Sequence, residues 1–304
     1  MWGEEPRATG MFSRFDYIDA ALTTADRFTD LVLGVGDPDT RLPDTPAWTL
    51  TDCVGHVAMA PSRFLELARG EGEWCCSAVD VPDFNAKQIA NLPTRDVTLL
   101  CRRLTDDLRE LVDEVSHFHA QVPKMHFDGD RVIRADAALG LLIGEFVVHA
   151  HDIARAVGAR WWVEPDVVLM IIRARQHILP SWVDSVHAAG HSGTYDIRLR
   201  GCGERHVYEF TDGELQIDPP EPRRPDVHIS VDPATALLAG YGRLSPGWVG
   251  LTGKASPGVP GRGSHRDSPS GSCLPDRRCR ARDQPPLPVP KEAHSPCSLR
   301  CEER

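Results

Sequence analysis

Glu145 and His149 stand four residues apart in the run "GEFVVHAHD" (144–152), within a stretch otherwise rich in Leu, Val and Ala. On a helix that spacing sets them one turn apart on one face, rotated by about 40°. A carboxylate and an imidazole facing an apolar interior must be paired, neutralised or bound to a cation. The chemistry on offer is metal binding, with a hydrogen-bonded core pair as the plain alternative. Asp152 shares that side of the helix. His151, about 200° from His149, does not, and cannot easily join the same coordination shell.

A metal site needs a further ligand from another helix. His56 is the best placed, because "TDCVGHVAMA" (51–60) surrounds it with small and apolar residues on a core-facing stretch. His117, His119 and His126 are its rivals, in or near a charged helix end.

The elements that must hold these groups follow from periodicity. Residues 14–34 place Tyr17, Ala20, Ala21, Ala25, Phe28, Leu31 and Val32 at helical spacing, with Gly34 as a stop. After a proline-rich linker, Thr49, Thr51 and Asp52 suit the N-terminus of the helix that carries His56. Residues 94–118 form a long amphipathic helix, and residues 135–157 a fourth, opening at Asp136 and closing at Gly158. Four helices with short connections predict a bundle over 12–160. A helix at about 164–187, within a bridging segment 161–189, leads to "TYDIRLRG", "HVYEFTDG", "ELQIDP" and "VHISVDP". These alternate apolar and polar residues between turn signals and predict short antiparallel strands. With the brief helix "PATALLAGYG" they predict a small α+β domain over 190–254, so the fold class is α+β.

From Ala255 to Arg304 nine prolines stand among Ser, Arg and Gly, with five large aliphatic residues, too few to offset chain entropy by burial. A disordered tail is the expectation. The abrupt switch after Lys254 is what a change of reading frame or a late, unrelated terminus produces. The net charge is −10, yet the tail holds nine basic against six acidic residues, so the acidic excess lies on the first 254. An acidic body argues against nucleic acid as a partner. No stretch approaches the roughly 20 apolar residues of a membrane span, and the N-terminus lacks a basic start followed by an apolar run. The expected location is cytoplasmic, with the nine cysteines reduced, since no CxxC occurs and adjacent Cys75 and Cys76 suit each other poorly as disulfide partners.

"AWTLTDCVGHVAMA" (47–60), followed about ninety residues later by "GEFVVHAHDIARAVG" (144–158), resembles the mycothiol-dependent maleylpyruvate isomerase family. The resemblance covers about residues 14–240. It implies a DinB-like metal-binding four-helix bundle followed by a sterol-carrier-like α+β domain, and it puts zinc ligands on His56, Glu145 and His149. "GYGRLSPGWVGLTGK" (240–254) resembles the family's Gly-Arg segment at Gly242-Arg243, but the expected continuation is replaced by the tail, which leaves the last element of that domain open.

Two imidazoles and a carboxylate would give a zinc ion a local charge of about +1 and an open position, as in catalytic sites. The resemblance implies mycothiol, the small thiol of actinobacteria, as cosubstrate. A thiol that adds to a conjugated double bond, allows rotation and leaves makes an isomerase; one that stays attached makes an S-transferase. Arg243 is a candidate to hold a carboxylate of substrate or cofactor bidentately, and Asp152 to orient His149. A hydrolase using metal-bound water, and a non-catalytic lipid- or small-molecule-binding protein, are the alternatives.

Overall fold

The computed structural model describes residues 12–118, 122–245 and 255–258. Two of the bundle helices begin with reciprocal capping boxes. Ser13 and Asp16 close the N-terminus of α1 (Arg14–Leu33), and Thr49 and Asp52 that of α2 (Leu50–Arg69). Each satisfies two otherwise orphaned backbone donors, so the chain enters both helices at a fixed angle. Asp96 caps α4 (Val97–Ser116), and α5 (Ala135–Val157) ends at Gly158 with φ of 68°, a left-handed turn that glycine adopts without strain.

These four helices close a ring in which α1 packs on α4 and α5, and α2 packs on the same two from the other side. Phe28, Leu104, Leu108, Leu142 and Phe146 fill the middle, each essentially without exposure. Full burial of one such side chain stabilises by about 1.5–3 kcal/mol. α5 is long and apolar enough to span a bilayer, contrary to the sequence expectation; it is mostly buried because it is the central helix of this bundle. The predicted bundle is therefore present, but two of its connections hold structure that periodicity did not reveal. One contains α3 (Val81–Ala90), and the other a hairpin of β1 (Lys124–Phe127) and β2 (Arg131–Arg134). The Asp128-Gly129 pair at the hairpin turn, with Gly129 and Asp130 both at positive φ, is its sequence signature.

The bridging helix is shorter than expected. α6 (Pro165–Gln176) stops ahead of Pro180, which cannot donate into a helical ladder; a 3-10 turn at Leu179–Trp182 and the short α7 (Ser185–Ala188) follow. The second domain is a five-stranded sheet, β3 (Gly193–Leu199), β4 (Arg205–Thr211), β5 (Glu214–Ile217), β6 (Val227–Val231) and β7 (Ala255–Gly258), in the order β5-β4-β3-β6-β7. β6 is parallel to β3, not antiparallel as expected, because the 218–226 segment carries the chain back to the free side of β3 before β6 begins. Alternation of side chains fixes faces, not strand direction. β7 pairs antiparallel with β6 although it falls inside the segment expected to be disordered. An edge strand is held by backbone hydrogen bonds and needs no large apolar side chain. Residues 259–304 lie outside the described residues. The apolar sheet face, with Ile197, Leu199, Ile229 and Val231, packs on Leu169 and Ile172 of α6 and Ala236 of α8 (Pro233–Gly240). α6 also packs on α5, so it ties sheet to bundle.

Cys53, Cys75, Cys101 and Cys202 are free thiols, in line with the expectation, whereas Cys76 is disulfide-bonded. Burial pushes the Cys75 thiol up to about 12, which makes it inert at neutral pH.

Candidate metal centre

α2 and α5 bring His56, Glu145 and His149 together. His56 Nε2 lies 3.2 Å from Glu145 Oε2, and His149 Nε2 lies 3.4 Å from the same oxygen. His149 Nδ1 faces Asp152 Oδ2 at 3.4 Å, one turn further along α5, an ion-pair distance that falls short of hydrogen-bond geometry. With the Nδ1 hydrogen on the Asp152 side, His149 turns an Nε2 lone pair toward a carboxylate oxygen. That arrangement is repulsive unless a proton or a cation lies between. His56 can donate from Nε2 to the same oxygen as the other neutral tautomer, which leaves its buried Nδ1 as an acceptor with no hydrogen-bond partner among the described residues.

A cation fits this donor set. Atoms bound at 2.0–2.2 Å to a tetrahedral ion stand about 3.3–3.6 Å apart, close to the two separations from Glu145, and all three donor atoms lie within 4.8 Å of one another. Glu145 keeps 30% of its side-chain exposure while His56 and His149 keep 11% and 9%, so the site opens on the carboxylate side. Electrostatics make the same demand. Burial opposes ionisation of Glu145, but hydrogen bonds from His149 and His56 hold its carboxyl well below the usual carboxylate range. Burial likewise disfavours a charged His149, yet neighbouring Cys53, Asp152 and Glu145 outweigh it and lift the imidazole well above its ordinary value. Positive charge is stabilised at this point whether a proton or a metal supplies it.

Asp152 is completely buried and is gripped by both arms of Arg243, Nε to Oδ1 at 3.1 Å and Nη2 to Oδ2 at 2.7 Å. Burial raises the Asp152 carboxyl, but His149 and Arg243 more than compensate and keep it ionised. The carboxylate that Arg243 holds bidentately is thus a protein one. A chain Arg243–Asp152–His149 runs from the second domain to the candidate ligand, which is how carboxylates fix the tautomer and orientation of metal-bound histidines.

The rival histidines are elsewhere. His117 is exposed at the end of α4 and contacts Asp113, His126 stacks on Trp74, and His119 lies outside the described residues. His151 does not join the cluster, as its position on the helix predicts, and burial holds its pKa low. Two contributors are not evident from spacing. Trp48 covers both imidazoles, its ring centroid 5.1 Å from that of His56 and 5.7 Å from that of His149. It is fixed by its backbone N–H donating to Thr45 and by the Asp44–Arg155 ion pair, which ties the preceding loop to α5. Its signal was a tryptophan directly ahead of the capping threonine. The other is Tyr241 after α8, whose hydroxyl rests against Gly144. Burial raises its pKa, so the phenol stays protonated at neutral pH.

Residues 21–154 match the family described as the mycothiol maleylpyruvate isomerase N-terminal domain. The helical bundle belongs to that family. Solved structures that share its fold over most of the chain include the following two. One is a crystal structure of the mycothiol-dependent maleylpyruvate isomerase, 16% identical with a TM-score of 0.53, and the other is a mutant of that enzyme, 15% identical with a TM-score of 0.54. Each likeness covers 82% of this chain and 95% of the solved one, so the sheet domain is included as well as the helical bundle. No curated protein matches the chain.

Proposed function

We propose that this chain is a metal-dependent enzyme of the mycothiol-dependent maleylpyruvate isomerase type, acting on a small conjugated electrophile with mycothiol as cosubstrate. The observation that carries the reading is the convergence of His56 Nε2, Glu145 Oε2 and His149 Nε2, three donor atoms within 4.8 Å of one another with no lysine or arginine paired to Glu145 among the described residues. Membership of the bundle in the maleylpyruvate isomerase N-terminal domain family supports the thiol and the reaction class.

His56, Glu145 and His149 would hold a divalent ion, zinc being the best match to a nitrogen and oxygen donor set that leaves a position open. When bound, such an ion supplies Lewis acidity and lowers the pKa of a thiol or water at that position. The protein's own residues do the rest. Asp152 keeps the Nδ1 hydrogen on His149, which aims the Nε2 lone pair at the site. Arg243 keeps Asp152 ionised and in place. Trp48 shields the two imidazoles on one side, so that access is from the side of Glu145.

Elemental analysis of purified protein, beside turnover of maleylpyruvate with and without mycothiol, tests the proposal. About one divalent ion per chain and thiol-dependent isomerisation are expected. Accumulation of a stable mycothiol adduct would make the protein an S-transferase on the same site, and turnover unchanged without thiol would make it a hydrolase.

A further inference from the structure

The second domain places one more polar group at this site. Tyr241 follows α8, and its backbone is pinned on both sides: its N–H donates to Leu237, and its carbonyl accepts from Arg243 Nη1 at 2.8 Å. The ring lies under the Arg175 guanidinium, 3.7 Å from carbon to ring centroid, while Arg175 Nη2 donates to the carbonyl of Gly240. The hydroxyl reaches α5 at Gly144, the residue before Glu145. A methyl group on Gly144 would stand 2.5 Å from the phenol oxygen and 3.1 Å from Ile171 Cγ2, so only glycine admits the tyrosine there.

The Arg175 guanidinium lies on the face of the ring and gives its hydrogen bond to Gly240, so it takes nothing from the phenol O–H. The phenol proton therefore has no acceptor among the described residues. A rigidly held O–H with no acceptor of its own is free to donate without first giving up another bond. Beside a site that takes a conjugated carbonyl compound, the acceptor it lacks is a substrate oxygen.

We propose that Tyr241 is a catalytic residue that donates a hydrogen bond to the carbonyl oxygen of the conjugated substrate. This rests on the function proposed above. When the thiolate sulfur bonds to the distal carbon of the double bond, the π pair moves onto the carbonyl, which becomes an enolate. Rotation about the resulting single bond follows. The electron pair then returns, the carbon–sulfur bond breaks, and the thiolate leaves unchanged. Tyr241 keeps its proton throughout and strengthens its hydrogen bond while the oxygen is charged. A fixed donor at such an oxygen is worth on the order of 10²–10³ in rate.

Tyr241→Phe removes the O–H and keeps the ring under Arg175. With zinc content and melting temperature as in wild type, kcat should fall by about 100-fold with KM little changed. A second readout does not need turnover. Oxalate, whose planar oxygens mimic an enolate, is titrated calorimetrically into zinc-loaded wild type, Tyr241→Phe and Gly144→Ala. Both variants should bind it about tenfold more weakly, the second because the added methyl displaces the phenol. Wild-type kcat and wild-type oxalate affinity in Tyr241→Phe would overturn the assignment. If wild type shows no thiol-dependent turnover, the proposed function fails, and the oxalate titration alone decides Tyr241: weakened binding supports it and unchanged binding rejects it.

Discussion

The bundle and the sheet domain both surround a histidine with carboxylates, and they resolve the charge in different ways. In the sheet domain His206 lies between Asp218, with Nδ1 to Oδ2 at 2.9 Å, and Glu204, with Nε2 to Oε2 at 3.2 Å, and the inner acid, Glu204, is also gripped by Arg173. His228 shares Asp196 with Arg205 in the same manner. In the bundle His149 lies between Asp152 and Glu145, but the arginine reaches only Asp152. Glu145 is answered by a second imidazole instead. In the sheet the buried acid beside each of these histidines, Glu204 or Asp196, is itself held by an arginine, whereas Glu145 in the bundle meets imidazoles alone and retains an unmet demand for a cation. The two regions hold the same residue types, and the placement of arginine separates a structural network from a candidate ligand set.

Breaking the two histidines separately should give the largest contrast. His149→Ala should lose nearly all bound metal, because two remaining ligands rarely retain zinc, while His206→Ala should keep the wild-type content. Elemental analysis of both proteins after dialysis against metal-free buffer checks this, and equal metal in His149→Ala and wild type would remove the site from the bundle. A smaller effect is expected one bond further out. Asp152→Asn leaves all three donors in place but no longer fixes the His149 tautomer, and metal affinity should weaken about 10–100-fold in competition with a chelator.

Much of this contrast was legible in the sequence, and for physical reasons. Glu145, His149 and Asp152 share a helix, so 3.6-residue periodicity alone places them on one side and turns His151 away. His56 was favoured by its apolar surroundings, and the family resemblance singled it out from its rivals. What could not be read depends on tertiary contacts between distant segments. Arg243 is 91 residues from Asp152, and no local pattern says that its fork grips a buried acid and not a bound carboxylate. Tyr241 on Gly144 and the parallel placement of β6 are of the same kind. The hairpin at 124–134 was readable from its Asp-Gly turn, but its strands are four residues each, too short for alternation to stand out.

The arginine-completed network in the sheet domain should respond in stability and not in metal content. Glu204 is almost fully buried, and Glu204→Gln would leave Arg173 and His206 without their shared anion. A loss of about 1.5–3 kcal/mol in urea unfolding is expected, in the range of hydrogen bonds to charged groups, with metal content unchanged. Loss of metal in this variant would mean that the two domains share one charge network through α6.

The smallest effect is expected where the bundle itself uses the arginine solution. Asp52 closes the α2 capping box with Thr49 and meets Arg95 Nη2 at 2.5 Å. Burial raises its carboxyl, but the Thr49 backbone N–H, Arg95 and the Thr49 hydroxyl outweigh burial and hold it below its ordinary value. A carboxyl whose folded pKa is depressed contributes stability that is present above its unfolded value, near 4, and is lost as pH falls through the folded one. Asp52→Asn keeps an acceptor for Thr49 and discards the charge. It should therefore match wild type at about pH 2.5 and fall behind by about 0.5 kcal/mol at pH 7, an amount limited by the solvent exposure of Arg95 and reduced further by salt. Urea unfolding at the two pH values, with and without added salt, measures this directly. An equal deficit at both pH values would locate the contribution in hydrogen-bond geometry and not in charge, and Asp52 would then differ in kind from the arginine-held acids of the sheet.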